Sequence, residues 1–396
     1  MNPIGSITNF PQGFANGISI RGMPLLQTQP GAIYYLNNSP NLLPQQRAGS
    51  DSNRGTFLDP FATLNYAVNT ACTPGRGDIV IVGAGHQETI SSATIAALNA
   101  SGVAVIGLGA GNTRPTFTYT TATTANIPVA GANMSIQNLL FIGDFLSVAS
   151  ALTGVSSSFT GVIASNVLTA SVVTGTIYVG ATITGTGVNP NTVITAQLTG
   201  TTGGAGTYSV TGTTTASSVS MATNPTDFAI DNCEFRDTSS ILGFLSIYTS
   251  SSTTNGWDRF SLTRSVWNSL STVSPTVAIT VNVGADGVYI ADNVMNSPIT
   301  AVTQGPILMA AGANNLTNFT LLRNRLQRPN TSSSIPCAIS CSGTAWSGLA
   351  ADNYIGAVPS GTGVWINTGT KLSFINNYSQ ITGAADKSAL INPSAV

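Results

Sequence analysis

Charge is scarce in this sequence. Asp, Glu, Lys and Arg make up 7% of 396 residues, against roughly 25% in ordinary globular chains. Thirteen basic residues stand against 14 acidic ones, for a net charge of −1. A chain without a basic field is not expected to bind nucleic acid. Nor does this read as a soluble helical enzyme, whose exposed helix faces carry many Lys and Glu. Lysine occurs twice, at Lys371 and Lys387, and histidine once, at His86. The four cysteines (Cys72, Cys233, Cys337, Cys341) are too few and too scattered for a disulfide scaffold. Cys337 and Cys341 pair only if a turn brings them together, and they lack the second ligand pair of a zinc site. No apolar run reaches about 18 residues, so no membrane span is expected. Met1–Gly5 offers neither a basic n-region nor an apolar h-region, so no Sec signal is expected.

What the chain has is glycine, 41 of them, with abundant Thr, Ser, Asn and Val. That composition points to strands and turns, hence an all-β fold. Residues 1–48 read as an extended arm, because Pro11, Pro24, Pro30, Pro40 and Pro44 interrupt any regular element. Its aromatic and aliphatic residues favour docking on a neighbour over a disordered leader. The anchoring candidates are Phe10, Pro11, Phe14, Ile18, Ile20 and Arg21. One short helix is expected after Asp59-Pro60, with Phe61, Leu64, Ala67, Val68 and Ala71 on one face, ending near Thr73-Pro74-Gly75. The apolar runs Asp78–Gly83 and Gly102–Gly107 fit strands buried on both faces.

From residue 133 a weak repeat appears. Aligned on Ile136, Ile230, Leu262, Ile290, Leu321, Ala350 and Phe374, the separations are 94, 32, 28, 31, 29 and 24 residues. The first is too long because residues 159–221 are an insertion: 63 residues, rich in Thr, Gly, Val and Ser, without one Asp, Glu, Lys, Arg or His. Removing them turns 94 into 31. The period predicts a parallel β-helix, a solenoid of short strands stacked about 4.8 Å apart. Its parts are the arm (1–48), a capping helix with the first coils (49–158), the inserted β module (159–221) and the remaining coils (222–396). Three residues after the frame, Asn293, Asn324, Asn353 and Asn377 would stack as a ladder. Two residues after it, Arg264, Asp292, Arg323 and Asp352 would alternate in sign down one column. These charges read as structure rather than catalysis.

The run Gly49–Thr56, followed by Asp59–Leu64 and Ala67, resembles the opening of many pectin-lyase-like right-handed β-helix proteins, in which a helix caps the first coil. Gly77–Val82, Gly85–Ile90, Ile106–Gly109 with Arg114–Phe117, and the arm motif Gly17–Pro24 are similar to a group of tailed-bacteriophage virion proteins. The insertion, through Gly185–Val188 and Gly204–Tyr208, resembles a β module found inside many phage structural proteins. The resemblance implies a structural virion protein assembled in the host cytoplasm. Such a protein is a capsid decoration or head fibre, trimeric, anchored by its arm to major capsid or tail proteins. The alternative it leaves open is a tail spike or adhesin that binds host glycan.

Some β-helix proteins cleave polysaccharides, which requires two carboxyl groups facing one cleft. The richest acidic cluster is Asp227, Asp231, Glu234 and Asp237. Strict alternation sets Glu234 apart from the other three unless a turn breaks parity. The competing reading is a polar outer face with Arg236 as a partner, and non-enzymatic function is expected. His86 has no nucleophile motif nearby, and no triad is expected of it. Gly107-x-Gly109-x-Gly111 opens no helix, so no dinucleotide site is expected. Arg323, Arg325 and Arg328 form the one basic cluster, read as solvated charge. Trp257, Trp267, Trp346 and Trp365 would stack on sugar rings only if they lie on the surface. No cofactor or metal is expected.

Overall fold

The structure, a computed structural model, describes residues 18–20, 23–25, 31–92, 96–120, 125–144, 150–189, 192–212, 215–223, 225–237, 246–248, 258–268, 279–281, 285–296, 307–312, 316–327, 339–343, 346–359, 365–367 and 371–382. Three parallel sheets run along it. The first passes from Ile33–Leu36 through Ser135–Gln137 to Lys371–Ile375. The second passes from Gln87–Ile90 to Tyr378–Thr382, and the third from Ile127–Val129 to Trp365–Asn367. One coil takes a strand from each in turn: Ser135–Gln137, Leu140–Gly143, Ser150–Gly154, then Ala229–Asp231, Glu234–Asp237, Ser246–Tyr248. This is a parallel β-helix.

The repeat frame is the register of the first sheet. Ile136 pairs with Ile230, Ile230 with Leu262, Leu262 with Ile290, Ile290 with Leu321, Leu321 with Ala350, and Ala350 with Phe374. Two columns of left-handed residues bracket it. Three positions before the frame stand Gly77, Gly102, Asn133, Asp227, Arg259, Gly287 and Asn318, all with φ between 53° and 82°. Two positions after it stand Asn138, Asn232, Arg264, Asp292, Arg323, Asp352 and Asn376, with φ between 49° and 59°. Gly, Asn and Asp reach this region at small cost and Arg does not. Each of the three arginines is held there by a two-pronged ion pair to an aspartate one coil earlier.

Inward residues repeat coil by coil and fill the solenoid. In the second sheet Phe117, Phe141, Phe235 and Trp267 stack with ring centroids 5.8, 5.0 and 4.4 Å apart, and Met295 and Leu326 continue the column. Aromatic pairs at such separations add about 0.5–1.5 kcal/mol each beyond burial. Trp267 is fully buried, so it is core and not a sugar platform.

The helix begins later than the sequence suggests. Residues Leu64–Tyr66 are α-helical and Ala67–Ala71 continue as a π turn, with Thr63 as the cap. Asp59 instead pairs across a tight turn with Thr56, and Phe61 bridges to Leu36. The expected proline start fails because a remote carboxylate wins. Asp51 accepts the N–H groups of Ala62 and Thr63 at 3.0 Å each, and the Thr63 hydroxyl at 2.8 Å. Leu64, Ala67 and Val68 then close the end of the core over Val80 and Val82.

Between Ser150–Gly154 and Ala229–Asp231 the chain leaves the coil and forms an antiparallel sheet from Ser157 to Thr223. Its strand order is Ile183–Gly185, Ala216–Thr223, Ser157–Ala164, Val167–Gly175, Gly206–Val210, Ile194–Gly200. A bridge between Thr182 and Val193 joins the two outer strands, closing the sheet into a barrel. Phe159, Ile163, Leu168, Ile183, Tyr208 and Met221 form a core separate from that of the solenoid. The module touches the body where Ser101 donates its hydroxyl to the Gly180 carbonyl at 2.5 Å.

Candidate functional site

The acidic cluster sits where the inserted module rejoins the coil. Asp231 ends a first-sheet strand and Glu234 begins a second-sheet strand, and the turn at Asn232-Cys233 resets the alternation. Asp231 and Glu234 therefore both face outward, while Asp237 points in with Phe235 and is buried. This corrects the expectation that Asp227, Asp231 and Asp237 share a face.

Each outward acid is engaged. Asp231 accepts two bonds from Arg264, one from Thr263 at 2.7 Å and one from Gln137 at 2.9 Å. Burial opposes ionisation of Asp231, but those donors outweigh it and hold the carboxyl below its ordinary range. Glu234 lies between Arg114 at 3.0 Å and Arg236 at 2.5 Å. Asp227 takes both prongs of Arg259 at 2.6 and 2.7 Å. A glycoside-cleaving pair needs one carboxyl that keeps its proton and room between the two for a sugar. Asp231 is held ionised and saturated with donors, which suits an inter-coil tie and not proton donation.

The asparagine column forms as the spacing predicts. Asn293, Asn324, Asn353 and Asn377 are linked side chain to side chain at 3.0, 3.0 and 2.9 Å. Ser265 and Cys233 extend the column: the Ser265 N–H donates to Asn293 at 2.9 Å, and the Cys233 N–H to the Ser265 hydroxyl at 3.1 Å. The charged column forms in part. Arg323 grips Asp292 at 2.7 Å through two nitrogens. Arg264 turns away from Asp292, its column neighbour, and binds Asp231 instead. Arg325 lies over the Tyr354 ring at 5.7 Å, and Arg328 lies outside the described residues.

His86 is fully buried. Its Nδ1 accepts the Asn38 N–H at 3.1 Å, and its Nε2 faces Glu88 at 3.4 Å. Glu88 in turn accepts the Leu64 N–H at 2.9 Å, at the start of the capping helix. The pair fastens three segments at the closed end of the solenoid. Asp78 does similar work, accepting the amides of Ala32 and Thr73 at 2.7 Å each and both prongs of Arg76. Sequence reading missed Asp78. Its signal was an acid heading an apolar strand two residues after an arginine.

Of the anchoring candidates, Phe10, Pro11, Phe14 and Arg21 lie outside the described residues. Ile18 and Ile20 belong to a small hairpin, paired with Leu25 and Met23. That hairpin, with Pro24 inside its second strand, and the first-sheet strand Ile33–Leu36 both lie within residues 1–48, where proline was expected to interrupt any regular element. Cys72 and Cys233 are buried free thiols, both pushed up to about 12, first of all by burial. Cys337 and Trp257 lie outside the described residues, as do the side-chain environments of Cys341, Trp346 and Trp365. Among the described residues no group of three or more His, Cys, Asp or Glu is arranged to hold a metal ion.

The sequence matches no family model and no curated protein. Among solved structures the chain is similar to the pectate lyase Pel9A, at 12% identity and a TM-score of 0.39, over 92% of this chain and 81% of that one. It is similar to a rhamnogalacturonan lyase at 12% identity and a TM-score of 0.41, over 88% and 74%. A GH136 lacto-N-biosidase from Eubacterium ramulus gives 11% identity and a TM-score of 0.40, over 88% and 56%. The parallel β-helix itself rests on the sheet topology and register described above. At these levels of similarity no activity passes to this chain.

Proposed function

We propose that this chain is a structural component of a bacteriophage virion. It acts as a capsid decoration or head-fibre protein, anchored by its N-terminal arm and assembled in the host cytoplasm. The observation that carries the reading is the inserted barrel. It has its own core, bears no charged side chain between residues 159 and 221, and leaves Val162, Val172, Val179 and Leu198 exposed. A surface without charge cannot repel a like neighbour, so it suits dense packing or contact with other virion proteins. Val172 is 80% exposed and sits at φ 50°, a costly conformation for a β-branched residue. The solenoid supplies a stiff body. Its outward acids are spent on ties between coils, which favours a mechanical role over catalysis.

The test is deletion of residues 1–30, which spares the first-sheet strand Ile33–Leu36, followed by particle assembly. The account expects loss of incorporation with the unfolding temperature of the β-helix retained. Truncated protein incorporated at normal copy number overturns the arm as anchor.

A second reading, a tail spike or adhesin that binds host glycan, is favoured by one outward column. Arg325, Tyr354 and Tyr378 are in register on the second sheet, and Tyr378 is 59% exposed. Aromatic rungs beside a guanidinium suit the face of a sugar chain.

A further inference from the structure

A cavity of about 270 Å³ opens on the outer side of the first coils. Tyr35, Leu43, Phe57 and Leu108 line it, with Asn37 and Gln46. No charged residue lines it. Phe57 meets Tyr35 edge-on at 5.6 Å, leaving the rest of its ring open. Of its lining residues Leu43 and Phe57 are 52% and 45% exposed in a single copy of the chain, and their chain neighbours Leu42 and Leu58 are 40% and 46% exposed. Four large apolar side chains exposed together mark a contact surface.

We propose that this cavity is the receptor for the N-terminal arm of a second copy of the chain, which inserts Phe10 or Phe14. The inference rests on the reading of the N-terminal residues as an anchoring arm, and it names what that arm grips; residues 35–46 belong to the receptor and not to the arm. Three observations argue for this occupant. The first 17 residues carry no charged side chain, matching an uncharged cavity. They include two phenylalanines, one beside Pro11, whose fixed φ lowers the entropy lost when such a stretch is ordered on a partner. An apolar cavity of about 150 Å³ is enough for a benzene ring, so this one takes a phenylalanine side chain with part of its flanking backbone.

The test uses the full chain. Light scattering over a concentration series is applied to the wild type, to a Phe10→Ala/Phe14→Ala double variant, and to Leu43→Asp, whose substituted side chain is half exposed and outside the core. The account expects an assembled wild type, and at least a tenfold weaker assembly for both variants with unchanged unfolding temperature. A labelled peptide of residues 5–22 is then titrated onto the double variant, whose cavity is intact, and onto the same chain also carrying Leu43→Asp. Binding to the first, and at least tenfold weaker binding to the second, supports the proposal. A monomeric wild type, or a peptide that binds neither chain or both equally, overturns it. Particle incorporation is measured separately. An arm that fails in solution yet still directs incorporation refutes the receptor and leaves the virion reading standing.

Discussion

The Oδ1 atom of Asn324 accepts both the backbone N–H of Asn293 at 3.2 Å and its side-chain N–H at 3.0 Å, one coil away. Asn324 in turn donates to the Ile290 carbonyl at 2.9 Å. With its bond to Asn353 Oδ1 at 3.0 Å, one buried side chain thus satisfies four groups at a turn that has no strand pairing of its own. Replacing Asn324 by Ala strands those groups, at about 1–3 kcal/mol for each buried one. The expected loss is about 3 kcal/mol or more in denaturant unfolding. Asn377→Ala, at the half-buried last rung, should cost distinctly less. Equal losses would mean that the ladder is not a buried structure.

Acid should weaken the molecule through its aspartates. For Asp78, burial opposes ionisation, but the hydrogen bonds from Arg76, Thr73 and Ala32 outweigh it and the pKa is lowered. Asp231 is lowered in the same way, and Asp292 mainly by the Arg323 hydrogen bond. A carboxyl with a lowered folded pKa stabilises the protein fully above its unfolded value, about 3.9, and the stabilisation is lost as pH falls through the folded pKa. Asp258 is raised, chiefly by burial, and acts in the opposite sense. The unfolding temperature should therefore drop steeply below about pH 4, and less steeply in Asp78→Asn, which starts lower. Parallel profiles for the two proteins would exclude Asp78 as a contributor.

Val172 stands in the left-handed region with its side chain in solvent. Val172→Gly removes that strain and should stabilise the inserted barrel by about 1 kcal/mol. If the valine is a contact residue, the same change should weaken particle binding. A destabilised variant would show that the side chain packs within the chain.

Asp231→Asn and Glu234→Gln together remove the acids that a cleavage reading would need. Incorporation into particles should be unchanged and the unfolding temperature lowered, because Arg264, Arg114 and Arg236 lose their partners. Abolition of polysaccharide cleavage by this pair would reverse the functional reading.

The solenoid was legible because its signal is spacing. Ile136, Ile230, Leu262, Ile290, Leu321, Ala350 and Phe374 recur at the period of one coil, and the asparagine ladder follows from the same frame. The inserted module was legible as an absence of charge. Contacts between segments distant in the chain were not. The helix start depends on Asp51, eleven residues before Ala62, and on Glu88, 24 residues after Leu64. The partner of Arg264 is Asp231 because the strand end, not the turn column, presents the nearer carboxylate. The cavity beside Tyr35 joins residues 35 to 108, which no local pattern connects.

The most direct test of the account is the copy number and position of this protein in purified phage particles, by cryo-electron microscopy with quantitative protein analysis. Many copies spread over the icosahedral shell are predicted. Absence from the particle, or a few copies confined to the tail, would contradict the decoration reading.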